Sequence, residues 1–182
     1  MRDLIVTQNI TLDGVIEATD GWFDPADGVD SSDLIEEITR QREAADAFLV
    51  GRQTFEDMRG FWPLQTDDQT GITDYLNAVS KYVVSSTLQD PQWQHTSVLR
   101  GPVRDDVRKL KEQPGKDIVT TGSIRLVHEL IAADLVDEYR LFVYPTVVGK
   151  GRRLFEDGAA RLKLVQTLPL RSGIVLLRYR TN

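Results

Sequence analysis

Two short segments place a glycine where an apolar, strand-like run gives way to a helical pattern: Gly51-Arg52-Gln53-Thr54 and Thr121-Gly122-Ser123. A helix N-terminus offers unpaired N–H groups and the positive end of a dipole, and glycine lets the backbone approach an anion closely. Two such junctions in one sheet can grip the two phosphates of a dinucleotide, although each glycine alone is equally explained by tight strand-to-helix packing. Arg52 follows its glycine directly, and a guanidinium there can pair bidentately with a phosphate or form a surface ion pair. Ser85-Ser86-Thr87 can donate hydroxyl hydrogen bonds to a ribose phosphate, or simply make a polar turn. Neither glycine segment fits G-x-G-x-x-G or the Walker pattern, so a Rossmann or P-loop site is not indicated.

Other residues with chemical potential are scattered. Trp22, Phe23, Phe61 and Trp62 fall in loops or at element ends, where aromatic rings can stack on a flat heterocycle as well as pack. Tyr144 precedes Pro145 at a strand end and, with Gly149-Lys150-Gly151, can line a cleft or make a turn. Asp13-Gly14 reads as a turn, and Asp33 as a first-turn acid favoured by the helix dipole. His95 and His128 have no partner spacing that suggests a metal site or a triad, and both are expected to face solvent. No metal site is expected.

The elements that must carry these residues alternate. A strand is predicted at Asp3–Leu12, ended by Asp13-Gly14, and a long loop at Glu17–Asp30. Ser31 or Ser32 is a possible N-cap for a helix over Asp33–Ala45, with Glu36 completing a capping box and Leu34, Ile35 and Ile38 on the buried face. Ala47–Val50 then reads as a strand running through Gly51 into a helix beginning at Arg52–Met58. Strands at Lys81–Ser85, Ser97–Leu99 and Asp117–Thr121 follow, the last two leading to helices near Val103–Glu112 and at Ile124–Ala133. Glu138–Val148, Leu162–Leu168 and Ile174–Arg180 are three consecutive strands, with Arg171-Ser172-Gly173 as a hairpin turn. The expected architecture is α/β: a largely parallel sheet flanked by helices and finished by an antiparallel C-terminal edge. All three glycine and serine segments lie at carboxyl ends of strands, where open α/β sheets bind ligands.

Composition narrows the function classes. The 182 residues suit one domain spanning 1–182, and the formal charge of −6 disfavours a nucleic-acid backbone as partner. The chain has no cysteine, which excludes disulfides, iron–sulfur clusters and cysteine-ligated zinc. The N-terminus has no signal-peptide pattern, and no apolar stretch reaches the roughly 20 residues needed to span a bilayer, so a soluble cytoplasmic protein is expected.

Taken in order, Thr11-Leu12-Asp13-Gly14, Gly51-Arg52-Gln53-Thr54-Phe55-Glu56, Lys81 to Leu88, Gly122-Ser123, Leu135 to Tyr139 and Pro145 to Gly151 resemble the dihydrofolate reductase family. The branch they look most like is the stand-alone bacterial relatives of the reductase domain of the bifunctional riboflavin-biosynthesis deaminase/reductase (the RibD C-terminal type). The resemblance implies the dihydrofolate-reductase fold, NADPH as hydride donor and a homodimer. By position, it implies that Gly51, Arg52 and Thr54 bind the pyrophosphate and 2′-phosphate side of NADPH, with Ser85 and Ser86 near the adenosine phosphate. Thr121, Gly122, Ser123 and Ile124 would cradle the pyrophosphate, and Leu12 and Gly14 would flank the nicotinamide. Many relatives carry arginine where Ser86 stands, so selectivity for NADPH rests on Arg52. Asp33, in the region of the pterin-binding carboxylate of true dihydrofolate reductases, and Asp13, beside the nicotinamide, are the candidate catalytic acids. Trp22, Phe23, Trp62 and Tyr144 are the candidate substrate contacts. The implied activity is NADPH-dependent reduction of a C=N or C=O bond of a small heterocycle; the alternative is a non-catalytic NADP(H)-binding sensor or interaction protein.

Overall fold

Side chains on successive residues of a strand point to opposite faces of its sheet, and in this protein the two faces are filled differently. The computed structural model describes residues 1–19, 21–23, 29–68, 70–156 and 161–182; the loop expected at Glu17–Asp30 falls partly outside them, at 20 and 24–28. Eight strands form one sheet: β1 (Leu4–Thr11), β2 (Ala45–Gly51), β3 (Ser80–Val84), β4 (Thr96–Leu99), β5 (Asp117–Thr120), β6 (Glu138–Tyr144), β7 (Leu162–Pro169) and β8 (Val175–Thr181), in the order β4-β3-β2-β5-β1-β6-β8-β7. The pairs from β4 to β6 are parallel. Strand β8 runs antiparallel to both β6 and β7.

One face is a continuous core. Leu4, Val6 and Ile10 of β1, Ala47 and Leu49 of β2, Ile118 of β5 and Leu141 of β6 pack against two helices, α4 (Val103–Glu112) and α5 (Ile124–Ala132), through Val107, Leu110, Val127 and Leu130. The opposite face carries two separate clusters. Phe48, Val50 and Val83 pack against Phe55 of α2 (Arg52–Phe61) and Leu76 of α3 (Ile72–Ala78). Phe142, Tyr144, Leu170, Ile174 and Leu176 pack against Leu34 and Ile38 of α1 (Ser32–Glu43) and against Trp22 and Phe23. Between them, β1 presents Thr7 and the exposed Asn9 instead of apolar side chains, and the core is interrupted there.

The architecture matches the α/β expectation, with informative differences. Helix α3 and a single 3-10 turn at Trp62–Leu64 were not anticipated; at seven and three residues they are too short to display a helical period. Buried Lys81 donates to the Leu76 and Val79 carbonyls at 2.6 and 2.9 Å, satisfying groups that the end of α3 leaves free. Strand β6 stops at Tyr144, short of Val148, because Pro145 brings no N–H to a ladder. The capping box at Ser31 and Glu36 does not form; Asp30 accepts the Ser32 N–H at 2.9 Å instead. Ile35 is exposed, while Glu37 is buried and holds Arg40 and Gln41. His128 is not simply solvent-facing: its Nε2 lies 2.8 Å from the Arg153 carbonyl, which ties α5 to the segment after β6.

Candidate active site

The ends of β2 and β5 meet at a glycine contact. The Gly51 N–H donates to the Gly122 carbonyl at 3.2 Å, and a Cβ placed on Gly51 would stand 2.2 Å from Ser123 Oγ and 3.1 Å from the Ser123 backbone N. A Cβ on Gly122 would meet Thr54 Oγ1 at 3.1 Å. Gly51 leaves no room for a side chain and Gly122 leaves little, and this approach of two chain segments brings the N-termini of α2 and α5 side by side. A groove of about 540 Å³ opens over them, lined by Gly51, Arg52, Gln53, Ser123, Arg125 and Glu129 among others. Arg52 spans its rim, with Nε 3.0 Å from Glu56 Oε1 and Nη1 donating to Thr87 Oγ1 at 2.6 Å.

A second hollow, about 490 Å³, fills the gap between the two clusters of the interrupted face. Thr7, Gln8 and Asn9 of β1, Val119 and Thr121 at β5 and Phe142 of β6 contribute to it from the sheet, and Ile38, Gln41 and Arg42 from α1. Trp22, Phe23 and Trp62 add aromatic walls, and Met58, Ile72, Tyr75 and Leu76 complete the apolar side. Thr54 and Thr121 line this cavity while Gly51 and Ser123, their neighbours, line the groove, so the glycine contact is where the two spaces adjoin. Gln8 Nε2 donates to the Thr121 carbonyl at 2.9 Å, fixing the floor.

The cavity's electrostatics are one-sided. Among the described lining residues Arg42 is the only charged one, with no Asp, Glu, Lys or His beside it. Its Nη1 donates to the Thr70 carbonyl at 2.9 Å and its guanidinium carbon lies 5.6 Å from the centroid of the Tyr75 ring. Burial pulls the Arg42 guanidinium below its ordinary value, and burial pushes the Tyr75 phenol up to about 12. Both remain hydrogen-bond donors at neutral pH.

The structure sorts the residues singled out in the sequence. Gly51, Arg52 and Ser123 reach the groove, Thr54 and Thr121 the cavity, and Gly122 the contact between them. Ser85 is buried, its Oγ accepting the Thr87 and Leu88 N–H groups at 3.3 and 3.0 Å; Ser86 is exposed outside the groove lining. Ile124 packs against the continuous core, and Leu12 and Gly14 belong to the turn after β1, outside both linings. Trp22, Phe23 and Trp62 do line the cavity, but Tyr144 sits behind Trp22, edge to face at 5.4 Å.

Neither candidate acid lies in the cavity lining. Asp33 spends its carboxylate on the Arg171 and Leu34 N–H groups, both at 2.9 Å, and so fastens α1 to the β7–β8 turn. Asp13 accepts Thr11 Oγ1 at 2.6 Å and the Gly149 N–H at 2.9 Å. The Thr11 hydroxyl, followed by the Gly149 and Val148 N–H groups, holds the Asp13 carboxyl below its ordinary value, which suits a fixed anion and not a proton donor. Sequence reasoning missed Arg42, Tyr75, Arg125 and the β1 floor. Two signals pointed to them: Thr7-Gln8-Asn9 interrupts an otherwise apolar central strand, and Arg42 follows Leu34 and Ile38 at spacings of four along α1.

The mostly parallel eight-stranded sheet with an antiparallel C-terminal edge, flanked by helices, is a dihydrofolate-reductase-like fold. Residues 2–176 match the model of the RibD C-terminal domain, and the chain belongs to that family. It is 34% identical to the uncharacterized protein YyaP of Bacillus subtilis (strain 168), over 100% of this chain and 96% of that one. Its fold is similar to that of a putative riboflavin biosynthesis protein from Shewanella sp. PV-4, with a TM-score of 0.76, 18% identity and 99% of each chain covered. It also resembles the diaminohydroxyphosphoribosylaminopyrimidine deaminase/5-amino-6-(5-phosphoribosylamino)uracil reductase of Thermotoga maritima, with a TM-score of 0.68 and 18% identity, covering 100% of this chain and 57% of that one. Membership in a reductase-domain family points to a riboflavin-pathway-like reductase acting on a small molecule. Among the described residues, no helix is long and apolar enough to cross a membrane.

Proposed function

We propose that this protein is an NADPH-dependent reductase that reduces a C=N or C=O bond of a small, flat heterocycle. The observation that carries the reading is the Gly51–Ser123 contact, where a side chain on Gly51 would close the space between two helix N-termini and where groove and aromatic cavity adjoin. The residues present fit a dinucleotide: two dipole ends and Ser123 for the pyrophosphate, with Arg52 and Arg125 beside them for a further phosphate. NADPH, when bound, supplies the hydride. The chain's own share is then to hold the two partners at reacting distance and to limit water, which is the larger part of what such a transfer needs from a protein. With no carboxyl group in the described cavity lining, the proton is expected from water.

Fluorescence titration tests the cofactor half. NADPH is expected to bind more tightly than NADH, and Arg52→Ala to erase most of that difference, a loss of roughly 1.5–3 kcal/mol for one charge-assisted phosphate contact. Equal affinities in the unmodified protein would sink the phosphate assignment. NADPH absorbance with dihydrofolate, the pyrimidine intermediate of riboflavin synthesis, and a panel of imines and ketones tests the chemistry, and dihydrofolate is expected to be a poor substrate. The lack of an acid among the described lining residues also favours, as second reading, a non-catalytic NADP(H) sensor; tight NADPH binding without turnover across the panel would select it.

A further inference from the structure

Arg42 is a partly buried cation in the lining of the cavity; among the described lining residues no other is charged, and no described residue forms an ion pair with it. One guanidinium nitrogen is used on the Thr70 carbonyl and one face of the group lies toward Tyr75. Asp68, whose charge it feels, spends its carboxylate on the Thr70 and Thr73 N–H groups at 2.8 and 2.7 Å. Gln41, which donates its amide to Glu37 at 2.6 Å, and Tyr75 line the same cavity as Arg42, together with the aromatic residues Trp22, Phe23 and Trp62. A carboxylate in such a place would select a ring bearing a cationic amidine, because it could accept two parallel N–H bonds; a guanidinium selects the reverse. A cationic ligand would meet a like charge in a medium that screens poorly.

We propose that the cavity takes a flat ring carrying an anionic oxygen group, a carboxylate or an enolate, bound edge-on to Arg42, and that it rejects rings presenting a cationic amidine. This inference rests on the cavity being the substrate site of the proposed reductase. It gives a physical reason for the expected poor dihydrofolate turnover, since a protonatable aminopyrimidine edge finds no counter-charge among the described lining residues. Arg42 is the specificity residue in this account.

Three probes of one shape separate the charges: 2-naphthoate, 2-naphthamide and 2-naphthamidine, titrated by quenching of tryptophan fluorescence without nucleotide. The unmodified protein is expected to bind them in that order, with naphthoate at least about tenfold tighter than the amide, the size of one charge-assisted hydrogen bond. Arg42→Met is expected to abolish the preference for naphthoate, and Arg42→Lys, which keeps the charge, to retain part of it. An amidine bound as tightly as the carboxylate by the unmodified protein would overturn the proposal whether or not either variant folds, as would an unchanged order in Arg42→Met. Because no NADPH is present, these outcomes are independent of whether the protein turns over, and failure of the reductase reading would appear only in the nucleotide assays.

Discussion

Gly51 has no room for a side chain, and that single constraint joins stability to the nucleotide groove. Substituting alanine drives a methyl group into Ser123 at 2.2 Å from Oγ, 3.0 Å from Cβ and 3.1 Å from the backbone N. Overpacking of this kind usually costs about 1–3 kcal/mol. Gly51→Ala is therefore expected to lower the unfolding free energy by that amount, read as a lower urea midpoint at an unchanged slope, and to weaken NADPH binding. Adding Ser123→Gly removes two of the three obstructing atoms, so the double variant should recover part of the stability, a non-additivity expected of residues in contact. Strict additivity of the two changes would show that the contact is not where the strain lies. Arg52 belongs to the same scale: it is poised on Thr87 and Glu56, neither of which binds it in a buried setting, so a phosphate can displace both.

At the scale of elements, Asp13 clamps the end of β1 to the segment after β6 through the Gly149 N–H and, more weakly, the Val148 N–H at 3.3 Å. The Leu12 N–H reinforces the link by donating to the Thr146 carbonyl at 2.9 Å. Its carboxyl titrates lower in the folded chain than in the unfolded one, so the unfolded chain binds the proton more readily. The clamp's contribution is therefore complete above the ordinary carboxylate value near 3.8 and is lost as pH falls through the lower, folded-state value. Asp13→Asn is expected to lower the urea midpoint at neutral pH, with the gap to the unmodified protein closing as the solution is acidified below about pH 4. A gap that stays constant down to the acid limit would mean that ionisation of Asp13 contributes nothing. In the same variant, the shape of any turnover profile near neutral pH should not change, because Asp13 is already ionised there.

For the whole molecule, the open question is what meets the antiparallel end of the sheet. The apolar strand segments Glu138–Val148 and Ile174–Tyr179 are expected from the sequence to need cover on an edge or a face, yet β6 and β8 are both paired on two sides and leave no edge. The free edge is β7, where Leu164 and Val165 are 52% and 47% exposed at a break in the pairing register with β8. A bulge at an edge strand bends it and disfavours continuation of the sheet into another chain. We expect the proposed homodimer to form through the side chains of β7 in a two-fold contact. Light scattering at micromolar concentration should then report a dimer that Leu164→Lys combined with Val165→Lys converts to monomer; a monomeric unmodified protein would refute it.

The local content of this fold is readable in the chain. Strand and helix periods, the turn at Arg171-Ser172-Gly173 with Gly173 at φ +82°, and the two glycine junctions follow from steric and hydrogen-bonding rules that act within a few residues. Gly51, Arg52 and Ser123 could be singled out because a strand-to-helix junction is itself local. What each acid does was not readable, because Asp13 and Asp33 are committed to partners 136 and 138 residues away in sequence, Gly149 and Arg171. The cavity was hidden for the same reason. Its described walls come from β1, α1, α2, α3 and β6 among other elements, and the one charge among them, on Arg42, is surrounded by uncharged residues that the sheet order brings together. Spacing along a helix shows that Arg42 turns inward, but only tertiary packing decides whether a carboxylate waits there to meet it, and here the described lining offers none.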